Sequence, residues 1–498
     1  MAVAEQTLAS AAANHETATE KRHARMLIDG AWVDSVSGAV LSVENPAKRS
    51  PIGDVPRGKA ADVDAAVAAA AKAFPTWSKT GPRDRGRLLL RIADSLETRS
   101  EELARTIALE TGNALRTQAR PEARLAADIF RYFGGLAGEL KGETIPLGEQ
   151  VLSYTRREPI GVVGAIIPWN APVLLGALKI APALCAGNTI VLKAAEDAPL
   201  GVLLMAEICQ ELLPPGVLNV LIGLGEECGA ALAKHPSVRK LSFTGSTEVG
   251  KLIMRAAAER IVPVSLELGG KSPSIVYPDA NEDWVVDGVI AAMRFTRQSQ
   301  SCTAGSRLFL HAGIFESFLD KLRSRTAALT IGDPLDEATD IGSIINEKQF
   351  RKVCAYIEEG IRGQDARLVF GGLPPTEGPL SAGYFTIPTV FADASNDWRL
   401  AREEIFGPVS LPSRGATRPM RSAWPTTATM VSRPMSGRTT SASRCAPHTP
   451  SNRAGSRSIR GSVSSPATPM AATSRAGSAE SSRWRACWRA SRSARTSP

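Results

Sequence analysis

Val162-Val163-Gly164-Ala165-Ile166-Ile167-Pro168-Trp169-Asn170 is the stretch that decides the fold of this chain. Its first six residues are apolar and uncharged, and a proline stops them, which is the pattern of a short strand buried on both faces. Outward from this run, apolar strands alternate with helical segments from Ile160 to Leu266. The periodicity predicts helices over Leu200–Leu213, Gly225–His235 and Val249–Arg260. Alternation of this kind builds parallel βαβ units, so the sequence predicts an α/β fold. Upstream, Ala60–Phe74 and Arg83–Leu109 carry helical periodicity, and Val151–Arg157 reads as a strand or strand pair. No internal repeat is visible.

A chain of 498 residues with 43% hydrophobic content can bury two or three sizeable cores. The stretch up to Arg25 is rich in Ala, Glu and Thr and has no apolar core, so no secretory signal is read there. Val162–Leu178 is uncharged, but Pro168, Asn170 and Pro172 break it, which favours a buried strand and helix over a membrane span. The seven cysteines are scattered without a C-x-x-C pair. They read as free thiols in a reducing compartment, with no structural zinc and a cytoplasmic location.

Two residues carry the chemistry. Glu267 opens Glu267-Leu-Gly-Gly-Lys271, and Cys302 follows 35 residues later in Gln298-Ser-Gln-Ser-Cys302. A thiol that attacks a carbonyl carbon and a carboxylate that activates water are the two parts of covalent acyl chemistry. Singly, such a cysteine is more often a small buried hydrophobe and such a glutamate a solvated turn residue. The polar setting of Cys302, with Gln298, Ser299, Gln300, Ser301 and Thr303 around it, predicts an exposed loop. Glu267 ends the apolar run Ile261–Leu266, where a strand would deliver a carboxylate into a cleft, and Gly269-Gly270 allows close backbone approach. Asn170, at the end of the first strand, supplies an amide that can donate to a developing oxyanion, a contribution of roughly 3 kcal/mol.

With Pro168-Trp-Asn170, Phe243-Thr-Gly-Ser-Thr-Glu-Val-Gly250, Glu267-Leu-Gly-Gly-Lys271, the cysteine loop and Glu404-Ile-Phe-Gly-Pro-Val409 in this order, the chain resembles the aldehyde dehydrogenase superfamily from about Met26 to about Leu411. The resemblance implies a Rossmann-type NAD-binding domain, an α/β catalytic domain, and NAD-dependent oxidation of an aldehyde to a carboxylic acid. Cys302 would be the nucleophile, Asn170 and the Cys302 N–H the oxyanion donors, and Glu267 the base that hydrolyses the thioester. Family members that pass the acyl group to coenzyme A typically lack that base, so Glu267 points to a free acid. Lys179 matches a lysine proposed in the family to relay protons or settle the cofactor. Family members are usually homo-oligomers, which makes a second copy of the chain an expected partner, although loss of an oligomerisation strand puts this in doubt here.

The cofactor site has no standard fingerprint, because Gly223, Gly225 and Gly229 read G-x-G-x-x-x-G. The resemblance instead assigns Lys193 and Glu196 to the adenosine ribose, Ser246 to the pyrophosphate at a helix start, and Glu404 and Phe406 to the second ribose and the nicotinamide. Ile167, Trp169, Gly225, Gly229 and Phe243 complete the set. A carboxylate at the ribose prefers NAD to NADP. Ala194 stands where many relatives carry proline.

The resemblance divides the chain into a flexible segment (1–25), an NAD-binding domain (26–140 and 160–266), an oligomerisation segment (141–159) and an incomplete catalytic domain (267–412), followed by a tail (413–498). The tail holds 15 Arg, no Lys, one acidic residue, no Leu and no Phe. It accounts for the whole basic balance, since the remaining 44 basic and 49 acidic residues are net negative. An Arg-rich nucleic-acid binder is one reading, but the absence of Lys and the presence of Trp424, Trp484 and Trp488 are odd for it. The genetic code suggests another. Read from the third base of each codon, Trp424–Ser436 can encode Ala-Asn-Asp-Ser-Asp-Tyr-Gly-Leu-Ala-Ala-Tyr-Val, and Met470–Ser481 can encode Gly-Gly-Tyr-Lys-Gln-Ser-Gly-Ile-Gly-Arg-Glu. Both strings resemble C-terminal motifs of the family, which implies an out-of-frame tail beginning near 411–416. Such a tail is too poor in large apolar residues to build a core and is expected to be disordered. An inactive dinucleotide-binding relic is the remaining alternative.

Overall fold

The computed structural model of this protein describes residues 22–363 and 366–415, and the backbone of 429–431. The chain opens with β1 (Arg22–His23), β2 (Met26–Ile28), β3 (Ala31–Val33), β4 (Val40–Asn45) and β5 (Ser50–Pro56). β1, β5 and β4 form a small sheet, while β2 and β3 join the edge of a larger one. Four helices follow: α1 (Ala60–Trp77), α2 (Pro82–Thr98), α3 (Ser100–Thr111) and α4 (Arg120–Leu136). The single helix expected over Arg83–Leu109 is thus two. The chain leaves helical geometry at Arg99 (φ −99°, ψ 18°), whose guanidinium pairs with Glu102 and, across the fold, with Glu207. An exposed hairpin of β6 (Thr144–Pro146) and β7 (Leu152–Tyr154) comes next.

The predicted alternation then appears as β8 (Val162–Ile166), α5 (Pro172–Cys185), β9 (Thr189–Ala194), α6 (Leu200–Gln210), β10 (Leu218–Ile222), α7 (Ala230–Lys234), β11 (Val238–Gly245), α8 (Thr247–Arg260) and β12 (Val264–Leu268). Gly225–Gly229 forms a π-helical turn ahead of α7. The sheet order is β12-β11-β8-β9-β10-β2-β3, with β8 to β12 parallel. From β8 the chain winds outward through β9 and β10, then crosses back to β11 and β12. The carboxyl ends of β8 and β11 therefore flank a topological switch point, where an open α/β sheet offers its crevice. The apolar residues of β8 to β11 are buried between helices, as a parallel sheet requires.

β13 (Pro273–Val276) begins a second sheet. It continues through α9 (Asp283–Met293), β14 (Arg307–His311), α10 (Phe315–Ala327), α11 (Glu347–Arg362), β15 (Arg367–Phe370), β16 (Thr389–Ala392), α12 (Arg399–Arg402), β17 (Val409–Gly415) and β18 (Thr429–Val431). The order is β15-β16-β17-β14-β13-β18, so β17 is central. β17 pairs with β14 from Leu411 to Gly415 and thus runs three residues past position 412. The expectation that the tail is disordered and lacks a core falls, apart from Ser413–Gly415 and the β18 backbone, on residues outside those described.

Candidate active site

β8 delivers Ile167, Trp169 and Asn170 to the switch point. Ile167 is buried, its N–H donating to the Lys193 carbonyl (3.2 Å). Asn170 is also buried, and its side-chain Nδ2 donates to the Gln300 carbonyl at 2.8 Å. This ties the first strand to the cysteine loop. An amide nitrogen carries two protons, so one N–H fixes the plane and the second remains for an oxyanion.

The loop from Arg294 to Gly305 is buried more deeply than its composition suggests. Gln298, Ser299 and Gln300 are each at most 2% exposed, because distant backbone groups satisfy their polar atoms. Ser299 Oγ donates to the Met293 carbonyl (2.7 Å), Gln298 Nε2 to the Gly112 carbonyl (3.3 Å), and the Ile345 N–H donates to Gln300 Oε1 (3.2 Å). Arg294, Gln298 and Ser299 all adopt left-handed φ (59°, 48° and 51°), at a cost of roughly 1 kcal/mol each. The expectation of an exposed loop is therefore corrected for these three residues. Cys302 itself is half-buried and unbridged.

Burial pushes the Cys302 thiol up to about 11, and the charges of Glu404 and Glu267 push the same way against Arg294. Both carboxylates thus lie within electrostatic reach of the sulfur. Glu267 lies inside β12, paired with Thr244, and is exposed. The backbone after it bends around Glu404. The Gly270 N–H donates to Glu404 Oε1 (3.2 Å), and a Cβ on Gly269 would run into the Glu404 carboxylate, so a larger residue there would require that side chain to shift. Burial raises the Glu404 carboxyl, opposed by the Gly270 N–H and by Lys352 and Lys271. Lys271 is half-buried, its Nζ shut off from solvent with no hydrogen-bond partner among the described residues, and burial and Arg307 lower its amine to about 7. Phe406, two residues after Glu404, holds φ 59° and meets the Trp169 ring.

The remaining predicted residues line the adjacent strand ends. Lys193, 4% exposed at the end of β9, pairs with Glu196 at 2.8 Å. Ser246 caps α8, its Oγ accepting from the Val249 N–H (3.3 Å). Phe243 is buried on β11. Gly225 is exposed and a Cβ added there would meet nothing within 4 Å, whereas Gly229 is buried, with Ile166 Cδ1 at 3.9 Å from such a Cβ. A capped helix start for phosphate, an amine–carboxylate pair for hydroxyls and a shelf that begins at an exposed glycine fit a dinucleotide. Lys179 is buried on α5. Sequence reasoning passed over Lys271 as a site residue and passed over Arg297, whose signal was its being the one charged residue between Phe295 and Ser306.

Residues 32–413 match the Aldehyde dehydrogenase family. The hydroxyisobutyraldehyde dehydrogenase of Mycolicibacterium austroafricanum is 45% identical over 403 residues, covering 80% of this chain and 78% of that protein. Human retinal dehydrogenase 2 is 42% identical over 395 residues, covering 78% and 75%. Among solved structures, PnpE in complex with nicotinamide adenine dinucleotide superposes with a TM-score of 0.79 at 39% identity, covering 83% of this chain and 85% of that one. The NAD+ complex of aldehyde dehydrogenase from Bacillus cereus gives 0.80 at 35% identity, with the same coverage.

Proposed function

The chain belongs to the aldehyde dehydrogenase family, and from that premise we propose that it oxidises an aldehyde to the free carboxylic acid through Cys302, with NAD as the hydride acceptor. The observation that carries this reading is the hydrogen bond that ties the Asn170 amide to the cysteine loop. Cys302 sits two residues beyond the carbonyl that holds Asn170, and Glu267 is close enough for its charge to raise the thiol. Cys302 adds to the aldehyde carbon, and the free N–H of Asn170 with the Cys302 backbone N–H holds the oxyanion. A thiol raised to about 11 is protonated at neutral pH, so a base must take its proton as it attacks. In this reading Glu267 takes that proton, passes it to solvent, and then deprotonates the water that releases the acid. NAD, when bound, supplies the hydride-accepting ring. Lys193, Glu196, Ser246 and the Gly225–Gly229 shelf would hold it, with Glu404 and Phe406 facing the reacting end. The amine of Lys179 has the proton-handling role implied by the resemblance.

NADH formed in a burst on adding aldehyde, and abolished in Cys302→Ala, is the result expected. A melting temperature raised by NAD with no turnover would instead identify a dinucleotide-binding relic. Steeply salt-dependent nucleic-acid binding retained by the isolated tail would identify the Arg-rich binder.

The family match stops at residue 413, where the composition changes, and both shifted-frame strings, from Trp424 and from Met470, lie beyond it. This supports an out-of-frame tail, and resequencing codons 405–420 tests it: a one-base insertion or deletion restores the frame, whereas an unchanged sequence sinks the idea. Ile145, Leu147 and Val151 on one side of the β6–β7 hairpin and Leu152 and Tyr154 on the other are all exposed, which leaves apolar surface on both its faces. Such a surface supports pairing with a second copy. No described helix is long and apolar enough to cross a membrane. A reducing, cytoplasmic setting suits a free catalytic thiol.

A further inference from the structure

We propose that Arg297 is a positioning residue for the acyl chemistry assigned above, gripping the Asn170 backbone so that its amide is held in register with the cysteine loop. The inference rests on that functional reading. Arg297 spreads its guanidinium over three partners. Nε donates to Gln118 Oε1 (2.9 Å), Nη1 donates to the Asn170 carbonyl (3.0 Å), and Nη2 lies 3.2 Å from Glu122 Oε2. The side chains of Arg297 and Glu122 are 12% and 0% exposed.

Each partner is anchored in turn. Gln118 Nε2 donates to Thr296 Oγ1 (2.7 Å), returning the contact to the cysteine loop. Glu122 Oε1 accepts from the Val173 and Leu174 N–H groups (3.1 and 3.4 Å), which open α5 directly after Asn170. Asn113 Nδ2 adds a second donor to the Asn170 carbonyl at 3.3 Å. Asn170 is therefore gripped twice by one segment: its carbonyl by Arg297 and its amide by the Gln300 carbonyl. An oxyanion donor is effective only when pre-aimed, and displacement of about 1 Å can cost on the order of 100-fold. A planar fork with two directed N–H donors and a third nitrogen in an ion pair suits this task, whereas a lysine ammonium keeps the charge without the fixed geometry.

The test compares two reactions of Cys302 in the full chain. p-Nitrophenyl acetate acylates the sulfur: the S–C bond forms, nitrophenolate leaves, the thiol proton passes to base, and an oxyanion is created. Iodoacetamide alkylates the same sulfur by displacing iodide, with no oxyanion. Arg297→Lys is expected to slow acylation roughly 10- to 100-fold while alkylation stays within about twofold. In an Asn170→Ala background, Arg297→Lys should cost nothing further, because the effect passes through Asn170. Asn113→Ala, which leaves the buried ion pair intact, is the second variant and should also slow acylation selectively. Equal loss in both reactions, no loss in either, or full additivity with Asn170→Ala overturns the proposal. A wild-type chain that is alkylated at Cys302 but never acylated would overturn the functional reading and this inference with it.

Discussion

Trp169 and Phe406 meet edge to face, their ring centroids 5.3 Å apart and their planes at 83°. The contact joins the loop leaving the first sheet to the loop entering the central strand of the second. Edge-to-face pairs contribute about 1 kcal/mol beyond their buried area. A double-mutant cycle of Trp169→Ala and Phe406→Ala, read from urea midpoints, should return a coupling energy of about that size. Additive losses would show that the rings do not link the two sheets.

The thiol of Cys302 should behave as a weak acid in the cofactor-free protein. Its alkylation by iodoacetamide should rise about tenfold per pH unit from neutrality toward the thiol value of about 11. Glu267→Gln removes one of the two negative charges that raise the thiol, so alkylation at pH 8 should accelerate. An unchanged rate would place Glu267 out of electrostatic reach.

Lys271 gives a stability signature with a definite sign. Its amine falls from 10.5 to about 7 in the folded chain. Between those values the unfolded chain holds a proton that the folded chain lacks, so this group makes stability rise with pH by up to about 1.4 kcal/mol per unit. Below pH 7 both states are protonated and the slope disappears. Urea titrations at pH 7, 8 and 9 should show that slope in the wild type relative to Lys271→Met; parallel curves would contradict it.

Ile261 ends α8 in left-handed geometry (φ 53°, ψ 44°) while 92% exposed. A β-branched residue is strained there, and a glycine is not. Ile261→Gly should therefore stabilise the protein by about 1 kcal/mol in chemical denaturation, since little packing is lost. A destabilised variant would mean that the side chain has a partner not captured by its exposure.

Glu196 should govern cofactor choice. Its carboxylate, paired with Lys193, would face the ribose hydroxyls and repel a 2′-phosphate. Glu196→Gln should narrow the preference for NAD over NADP in KM with little change in kcat for NAD. An unaltered ratio would remove Glu196 from the ribose site.

The first sheet was legible because Val162–Ile167 and its successors are apolar on both faces, a pattern that only a covered parallel sheet explains. The break at Arg99 was not, because no glycine or proline marks it and the pairing of Arg99 with Glu207 lies across the fold. The cysteine loop shows the same limit. Gln298, Ser299 and Gln300 look like surface residues until Gly112, Met293 and Ile345 are seen to satisfy them. Glu122 and Arg297 are far apart in sequence, and a buried ion pair leaves no periodic trace.

β17 occupies the slot between β16 and β14, and this fixes the timetable of synthesis. Until the ribosome has released residues 409–415, the β15–β16 hairpin and the β13–β14 pair have no common neighbour, and the second sheet exists as two halves. Those halves must wait with open edges while the first sheet, finished at Leu268, can already fold. Slowing translation just before codon 409 should therefore increase aggregation of the nascent chain, and added chaperone should reduce it.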